Sequence, residues 1–243
     1  MSTFVLKFGG KTIASMEKLQ TAAQRVQDCI REGKKVAVVV SAMADETDKL
    51  IETAASIDGC GYKRELDHLL FTAEIKSAAL LSMLLLKMGI KAKSLDFTTL
   101  GIKTDDNHFN AKVMNVDPEC INALLREGIV PVIPGYQGMA DNGEVTTLGR
   151  GGSDITAVAI AAALKADTCV LFKDVGAIYN DDPKVSQHVV KYDKITYDTL
   201  YDIANRGGKV VSRDSIAIAR DNNLVVSIAD PENFNIGTLI SND

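Results

Sequence analysis

Residues 36–40 form an uninterrupted run of one alanine and four valines. A strand with one face in water alternates polar and apolar side chains, so this continuous run predicts a strand that is covered on both faces. Residues 4–8 predict a second short strand, and residues 16–30 between the two have the apolar spacing of a helix. A strand, a helix and a covered strand in this order predict a β-α-β unit, from which parallel sheets are built.

The same alternation of strands and helices continues along the chain. Asp117-Pro118 predicts a helix start with the proline at the first helical position, and Asp141-Asn142-Gly143 predicts a hairpin turn. The other expected helices lie at about residues 66–88 and 154–164 and begin near 196 and 213, and the other expected strands lie at 91–96, 129–133, 169–172, 225–229 and 238–241. The pattern predicts an α/β fold with three layers, in which helices cover both faces of a mainly parallel central sheet. The 243 residues fit one such domain.

The totals exclude several classes of protein. Hydrophobic residues make up 46% and charged residues 24% of the chain, which is ordinary for a globular protein. A net charge of −5 without a cluster of lysine and arginine argues against nucleic acid as a partner. The apolar runs are shorter than a membrane-spanning helix and the N-terminus does not resemble a signal peptide, so we expect a cytoplasmic protein without membrane contact. The four cysteines are scattered, and no metal site is expected.

Two glycine-rich loops adjoin predicted elements, the first after a strand and the second before a helix. Lys7-Phe8-Gly9-Gly10 ends the first strand, where glycines let backbone N–H groups approach an anion and the lysine adds a positive charge. Alone, this segment also fits a simple turn, since it lacks the spacing of a Walker loop. The second loop, residues 146–154, places three glycines and Arg150 at the start of the buried helix, whose free N–H groups favour an anion. The alternative is that Ser153 or Asp154 only caps this helix.

A third segment, residues 173–184, follows the predicted strand 169–172 and combines Tyr179 with several charged residues. Ligands of parallel α/β sheets gather at the carboxyl ends of the strands, so this segment is expected beside a nucleotide. The alternative is that Asp181-Asp182-Pro183 is simply a turn.

These segments, in this order, resemble the catalytic domain of aspartate kinases, within the amino acid kinase superfamily that also includes glutamate, carbamate and uridylate kinases. The resemblance covers essentially all 243 residues and is most specific in Leu148-Gly149-Arg150-Gly151-Gly152-Ser153-Asp154. It also takes in residues 38–44 with the following Glu46 and Thr47, and the segment Thr72-Ala73-Glu74.

The resemblance implies a role for each matching residue, with Lys7 expected on a surface loop. The implied catalytic residues are Lys7 and Asp154. The implied phosphate-binding residues are Gly9, Gly10, Gly151 and Gly152. The implied contacts to the amino-acid substrate are Ser41, Thr47, Glu74, Arg150 and Ser153. The implied nucleotide contacts are Lys173, Asp174, Tyr179, Lys184 and Lys209.

The resemblance further implies ATP-dependent phosphorylation of the β-carboxylate of L-aspartate, with Mg²⁺, as the first step of lysine, threonine and methionine biosynthesis. It implies that residues 1–165 bind the amino acid and transfer the phosphoryl group, that residues 166–243 bind the nucleotide, and that the protein is a homodimer. A carboxylate with a pKa of about 3.9 is already ionised at neutral pH, so the reaction needs charge neutralisation by Lys7 and positioning by Asp154 rather than a base. Two alternatives stay open: a kinase of another small acid, and a binding module with little catalysis.

The chain departs from the usual family pattern at several positions. Lys11 stands where a threonine is usual, Phe71 and Ala73 stand for serine and glycine, and Lys173 and Gly176 stand for threonine and aspartate. Further departures are Lys184 and Ser212-Arg213. Most of these changes lie on the expected nucleotide side. Aspartate kinases usually continue into ACT-type regulatory domains, and because this chain stops at Asp243, feedback through such domains is not expected.

Overall fold

A computed structural model describes residues 2–58, 61–181, 189–205 and 211–243. The strands in these residues are β1 (Thr3–Phe8), β2 (Lys35–Val40), β3 (Ala92–Ser94), β4 (Ile102–Thr104), β5 (Val113–Val116), β6 (Val130–Pro134), β7 (Gln137–Ala140), β8 (Val145–Thr147), β9 (Thr168–Phe172), β10 (Ile178–Tyr179), β11 (Lys191–Tyr192), β12 (Lys194–Thr196), β13 (Val226–Ala229) and β14 (Ile236–Ser241). The helices are α1 (Met16–Arg31), α2 (Glu46–Asp58), α3 (Lys63–Lys87), α4 (Glu119–Arg126), α5 (Gly152–Ala163), α6 (Tyr197–Asn205) and α7 (Arg213–Asp221), with a 3-10 helix at Gly10–Ile13.

The central sheet has eight strands in the order β12-β14-β13-β9-β1-β2-β6-β3. The six strands from β13 to β3 are parallel to one another, whereas β14 is antiparallel to β13 and β12 is parallel to β14. The mainly parallel sheet that the alternating pattern predicted is therefore confirmed. β1 lies in the middle of the parallel strands, so its carboxyl end opens between β2 and β9.

Helices cover both faces of this sheet. On one face, α1 and α3 pack on a core that includes Leu6, Phe8 and Val38. On the other face, α4, α5, α6 and α7 pack on a core that includes Val5 and Val39. The alternation of Val5 and Leu6 between the two cores is the pleat of a strand buried on both sides. The three-layer arrangement is thus confirmed, and the strand that carries Lys7 is held from both faces.

A smaller four-stranded sheet, in the order β5-β4-β7-β8, lies beside the first half of α3. Its β7–β8 hairpin turns at residues 141–143, as predicted, with Gly143 at a φ of +85°. The other strands of this sheet and the β10–β11 pair are only two to four residues long, so they give no readable alternation in the sequence.

The long helix α3 differs from the expectation that every apolar run is too short for a membrane. By length and composition alone, α3 could cross a bilayer, and it is the one helix among the described residues that passes this test. However, it buries the acidic residues Asp67 and Glu74 and packs against β2, β3, β6 and β8. Those contacts are typical of a core helix in a globular domain, which passes the same test of length and composition.

Two boundaries refine the sequence interpretation. Pro118 occupies the position before the first turn of α4 rather than the first helical position, and Asp117 Oδ1 accepts a 3.0 Å hydrogen bond from the N–H of Glu119. The proposed division into lobes at about residue 165 falls between α5 and β9 and stays a prediction, since the central sheet runs through both parts.

Candidate active site

Lys7 lies near the carboxyl end of β1, one residue before the strand ends. Because side chains alternate across a strand, Lys7 points to the same face of the sheet as Val5, the face that α5 covers. Asp154 lies there in the first turn of α5, and its Oδ1 is 2.7 Å from Lys7 Nζ. Both side chains are less than a tenth exposed, at 7% and 6%. The structure thus joins the two residues predicted to be catalytic, and the expectation that Lys7 occupies a surface loop was wrong.

Lys173 reaches the same carboxylate from the neighbouring strand. β9 is parallel to β1 with Phe172 opposite Phe8, and Lys173 is the first residue after β9. Its Nζ donates a hydrogen bond to Asp154 Oδ2, on the other side of the carboxylate from Lys7. Its side chain is 19% exposed. Lys173, which was predicted to contact the nucleotide, therefore lies beside the predicted catalytic pair. The sequence did not reveal this contact, because the three residues are far apart in the chain.

One buried carboxylate therefore faces two ammonium groups. Burial raises the pKa of Asp154, but the charges of Lys7 and Lys173 and the hydrogen bond from Lys173 outweigh burial and hold this pKa at about 2. Burial lowers the pKa of Lys7, and the charge of Asp154 offsets part of that effect. The short contact between Lys7 Nζ and Asp154 Oδ1 does not have hydrogen-bond angles, so it is a close ion pair. Two positive charges against one negative charge make this cluster attractive to an anion.

The first glycine loop packs tightly beside Lys7. A Cβ on Gly10 would lie 2.6 Å from the carbonyl oxygen of Ala42, so only glycine fits against the segment that follows β2. The N–H of Ala44 donates a 3.0 Å hydrogen bond to the Gly10 carbonyl, which fixes the two segments together. A Cβ on Gly9 would be 3.4 Å from Lys7 Nζ. The loop therefore brings backbone close to the ammonium group, as the phosphate-loop interpretation requires.

The second glycine loop leads from β8 into α5. Gly151 has a φ of +80° and stands at the N-cap of α5, where no side chain caps the helix. The alternative that Ser153 or Asp154 serves only as a cap is therefore wrong. The N–H groups of Gly152 and Asp154 donate within the loop, to the carbonyls of Gly149 and Gly151. The phosphate-binding role of Gly151 and Gly152 stays a prediction.

Glu74 projects from α3 toward the segment after β2. Its side chain is buried, and its Oε1 accepts a 3.2 Å hydrogen bond from the N–H of Ala42. Its Oε2 is buried and has no hydrogen-bond partner among the described residues. Burial raises the pKa of Glu74 to about 8, although the Ala42 hydrogen bond and the charge of Lys7 oppose this shift. A buried, unpartnered carboxylate oxygen within the field of Lys7 is suited to receive a cationic ligand group.

Tyr136 lies close to Gly152 and within the electrostatic influence of Glu74, and it was not predicted from the sequence. It has a φ of +71°, which is rare for a residue with a bulky side chain, and its ring lies so close to Gly152 that a Cβ there would be 2.6 Å away. Burial raises the pKa of the Tyr136 hydroxyl, and the charge of Glu74 adds to the effect. The residue comes directly after β6 and Gly135, so the rule that ligands gather at carboxyl ends of strands could have found it.

The remaining predicted substrate contacts surround this region at different depths. Ser41 directly follows β2 and is half-buried, and Thr47 in the first turn of α2 is also half-buried. Ser153, in the first turn of α5, is buried. Arg150 is exposed between Gly149 and Gly151, and no ion pair joins it to an acidic residue in the described part of the chain. Contacts of these four residues with a substrate stay predictions.

The predicted nucleotide side begins directly after Lys173. Asp174 is exposed, and its Oδ2 lies 3.3 Å from the Nζ of Lys11, one of the residues that depart from the family pattern. Tyr179 lies in β10 and is half-buried. Lys184 and Lys209 fall outside the described residues. A cleft of about 1280 Å³ adjoins Lys11 and Asp174, but it lies toward α1 and its lining includes neither of the catalytic candidates, so the ion-pair cluster locates the chemistry better.

The described residues contain no group of three histidine, cysteine or acidic side chains that could form a protein cage for a metal ion. Asp154 is already engaged by two lysines. Mg²⁺ in phosphoryl-transfer sites is usually bound by substrate phosphates with few protein ligands, so the residues present fit an ion that arrives with a nucleotide and not a permanently held one.

Comparisons with known proteins identify the family of the chain. The model of the amino acid kinase family matches residues 2–230. An aspartokinase from Geobacillus stearothermophilus is 40% identical over 243 residues, which is all of this chain and 60% of that protein. An aspartate kinase from Synechocystis has a TM-score of 0.88 at 35% identity, and the match covers 100% of this chain and 40% of that one. E. coli aspartokinase III in complex with aspartate and ADP shares the fold, with a TM-score of 0.87 at 23% identity over 99% of this chain and 65% of that one.

The structure defines a class of α/β domain with a mainly parallel sheet, a buried lysine–aspartate cluster at its strand ends, and glycine loops after β1 and before α5. The chain belongs to the amino acid kinase family, because the family model covers almost its whole length. It spans about 60% of the length of the curated relatives that it matches. The activity, substrates and partners of those longer proteins are therefore proposals for this chain.

Proposed function

We propose that this protein transfers the γ-phosphoryl group of ATP to the β-carboxylate of L-aspartate and produces 4-phospho-L-aspartate and ADP. The observation that carries the proposal is the Lys7–Asp154 ion pair at the carboxyl end of β1, with the unpartnered Glu74 at the same edge of the sheet. The 40% identity to an aspartokinase across the full chain supports aspartate as the acceptor. The complex of the E. coli relative with aspartate and ADP supports the same pair of ligands.

The acceptor would be held by charge. The ammonium group of aspartate fits the free Oε2 of Glu74, since a buried carboxylate that has one hydrogen bond lacks a partner for its second oxygen. Arg150 is free to bind the α-carboxylate through two parallel hydrogen bonds, because it forms no ion pair with a described residue. Ser41, Thr47 and Ser153 would complete this subsite through their hydroxyl groups.

The chemistry itself needs no base. A β-carboxylate oxygen forms a bond to the γ-phosphorus while the bond between that phosphorus and the β–γ bridging oxygen breaks, and the electron pair leaves on ADP. Negative charge concentrates on the phosphoryl oxygens between two anions, so a buried cation is the main requirement. Lys7 supplies this cation, and Asp154 fixes its position through the 2.7 Å ion pair. Gly9 and Gly10 let backbone N–H groups approach the phosphates.

The nucleotide would enter from the strand ends beside Lys173 and Asp174. Asp174, Tyr179, Lys184 and Lys209 are its proposed contacts, and Lys173 connects this side with the reacting group. Mg²⁺ that arrives with the nucleotide would supply additional neutralisation of charge.

A hydroxylamine assay tests the proposal. The protein is incubated with Mg-ATP and one acid at a time, namely L-aspartate, L-glutamate and N-acetyl-L-glutamate, and both the acyl hydroxamate and ADP are measured. We expect hydroxamate and ADP in equal amounts with aspartate. A matching Lys7→Ala variant should lose the product, which excludes a contaminating kinase.

Other outcomes distinguish the alternatives. Product with another acid in place of aspartate would identify a kinase of the same family with a different acceptor. Binding of ADP and aspartate in calorimetry without any turnover would identify a binding module. As an aspartate kinase, the protein would act in the cytoplasm at the first step of lysine, threonine and methionine biosynthesis, and the expected homodimer stays a prediction.

A further inference from the structure

Two lysines from neighbouring strands meet at one buried carboxylate. Lys7 on β1 and Lys173 after β9 emerge on the same face of the sheet, and they approach different oxygens of Asp154. One lysine is enough to neutralise one aspartate. The second lysine therefore adds a positive charge that no described acidic group in this cluster balances.

A surplus positive charge is energetically unfavourable in a site that is largely shielded from water. Asp154 and Lys7 are almost completely shielded from water, and Lys173 is 19% exposed. A charge removed from water needs a partner of opposite sign, so a cluster with surplus positive charge is organised for an anion that arrives later. The next residue, Asp174, is exposed, and its Oδ2 lies 3.3 Å from Lys11 Nζ.

The order of the strands in the central sheet indicates which anion the lysine cluster would bind. On the acceptor side, Ala42 follows β2 and donates a hydrogen bond to Glu74 of α3. On the proposed nucleotide side, Asp174 and Tyr179 follow β9. Lys7 is on β1 between these strands, and Lys173 stands at the border to the nucleotide side. A phosphoryl group that moves from nucleotide to acceptor must therefore pass the two ammonium groups.

We propose that Lys173 is a second catalytic cation, which contacts the transferring γ-phosphoryl group together with Lys7, and that Asp154 positions both ammonium groups. This inference rests on the proposed phosphoryl transfer, and it narrows the role of Lys173 from a general nucleotide contact to the reacting phosphate. No proton is transferred in this step, because the acceptor carboxylate is already ionised and only phosphorus–oxygen bonds are exchanged.

The test compares Lys173→Thr, Lys173→Arg and the control Lys103→Thr. Lys103 is a good match because it also lies on a strand and forms an ion pair, with Asp141, but is exposed on the smaller sheet. We expect Lys173→Thr to lower kcat by about 100-fold, as expected for the loss of a group that stabilises transition-state charge. Lys173→Arg should recover at least about a tenth of the activity, because it keeps the charge, and Lys103→Thr should match the unmodified protein.

Binding separates this role from a structural one and from the proposed function. Calorimetry with ADP and with the non-hydrolysable analogue AMP-PNP should show that Lys173→Thr weakens the analogue about tenfold and ADP by less than about threefold, because only the analogue has a γ-phosphoryl group. Equal weakening of both ligands, or a kcat within about threefold of the unmodified protein, would overturn the inference. If the unmodified protein shows no turnover with any acid, the proposed function fails, and the comparison of ADP with AMP-PNP still decides whether Lys173 faces a γ-phosphate.

Discussion

The carboxylate of Asp67, on α3, accepts a 2.5 Å hydrogen bond from the hydroxyl of Thr147, the last residue of β8. The same carboxylate accepts a 3.1 Å hydrogen bond from the N–H of Phe109 and lies 2.7 Å from Nδ1 of His108. Thr147 directly precedes the second glycine loop. Glu74 lies seven residues after Asp67, which is two turns along the same side of the helix. Asp67 therefore connects the helix that carries Glu74 with the strand that leads to Arg150 and Asp154.

The Asp67→Ala substitution tests this connection. Asp67 is fully buried, so its removal leaves three polar groups without an acceptor, and we expect the free energy of unfolding to fall by about 3 kcal/mol. Urea unfolding measures the loss. Glu65→Ala, an exposed acid on the same helix, serves as the control and should change stability by less than about 0.5 kcal/mol. Similar effects of the two substitutions would show that the buried network contributes little.

Glu74→Gln should make the protein more stable at alkaline pH. The pKa of Glu74 is about 8 in the folded protein and about 4.5 in the unfolded chain. The folded state therefore holds a proton that the unfolded state releases, and this contribution to stability is complete below about pH 4.5 and is lost as the pH rises through about 8. In that window the slope approaches roughly 1.4 kcal/mol per pH unit. Glutamine has no such dependence, so the stability difference in favour of Glu74→Gln should grow with pH.

Urea unfolding at about pH 5, pH 6.5 and pH 8 measures this difference, because all other titrating groups are shared by the two proteins. The exposed Glu65→Gln change on the same helix is the matched control and should show no such trend. The same Glu74→Gln variant should bind aspartate at least about tenfold more weakly if Glu74 receives the ammonium group, since a charge-assisted hydrogen bond is lost. A constant stability difference across this range would contradict the raised pKa.

The inner strands of the central sheet could be predicted from the sequence because β1, β2, β6, β9 and β13 are largely buried on both faces. Continuous runs such as residues 36–40 and 169–172 are visible in any window of the chain. Apart from the turn of its β7–β8 hairpin, the smaller sheet could not be predicted, because its strands are short and mix polar with apolar residues. The helix α2, which follows the motif after β2, was also not predicted.

The candidate active site could likewise be predicted only in part. Glycine loops and their lysine and arginine neighbours are local features, so the sequence indicated Lys7, Arg150 and Asp154. The contact of Lys173 with Asp154 depends on the pairing of β9 with β1, and local spacing gives no information on that pairing. The burial of Asp67 likewise becomes visible only when α3 packs against β8.

Asp154→Asn should be the most destabilising of the substitutions in the lysine cluster. It leaves the ammonium groups of Lys7 and Lys173 close together in a shielded site without a negative charge, and the removal of one member of a buried ion pair costs about 3–5 kcal/mol. Lys7→Met should cost less, because Lys173 still neutralises the carboxylate, yet it should remove most turnover. Thermal unfolding of the variants measures the order of their stabilities.

Inorganic phosphate should stabilise Asp154→Asn more than the unmodified protein, and a smaller effect of phosphate on the variant would contradict a surplus of positive charge in this site.

Arg150→Ala separates substrate binding from stability. Arg150 is exposed and forms no ion pair with a described residue, so its truncation should change the unfolding midpoint very little. If its guanidinium group binds the α-carboxylate of aspartate, the KM for aspartate should rise by about tenfold to 100-fold while the KM for ATP stays within about threefold. Arg150→Lys should recover only part of this loss, because a lysine cannot form two parallel hydrogen bonds with a carboxylate. Steady-state kinetics with each substrate varied in turn measure both constants, and an effect confined to ATP would place Arg150 on the nucleotide side of Lys7 instead.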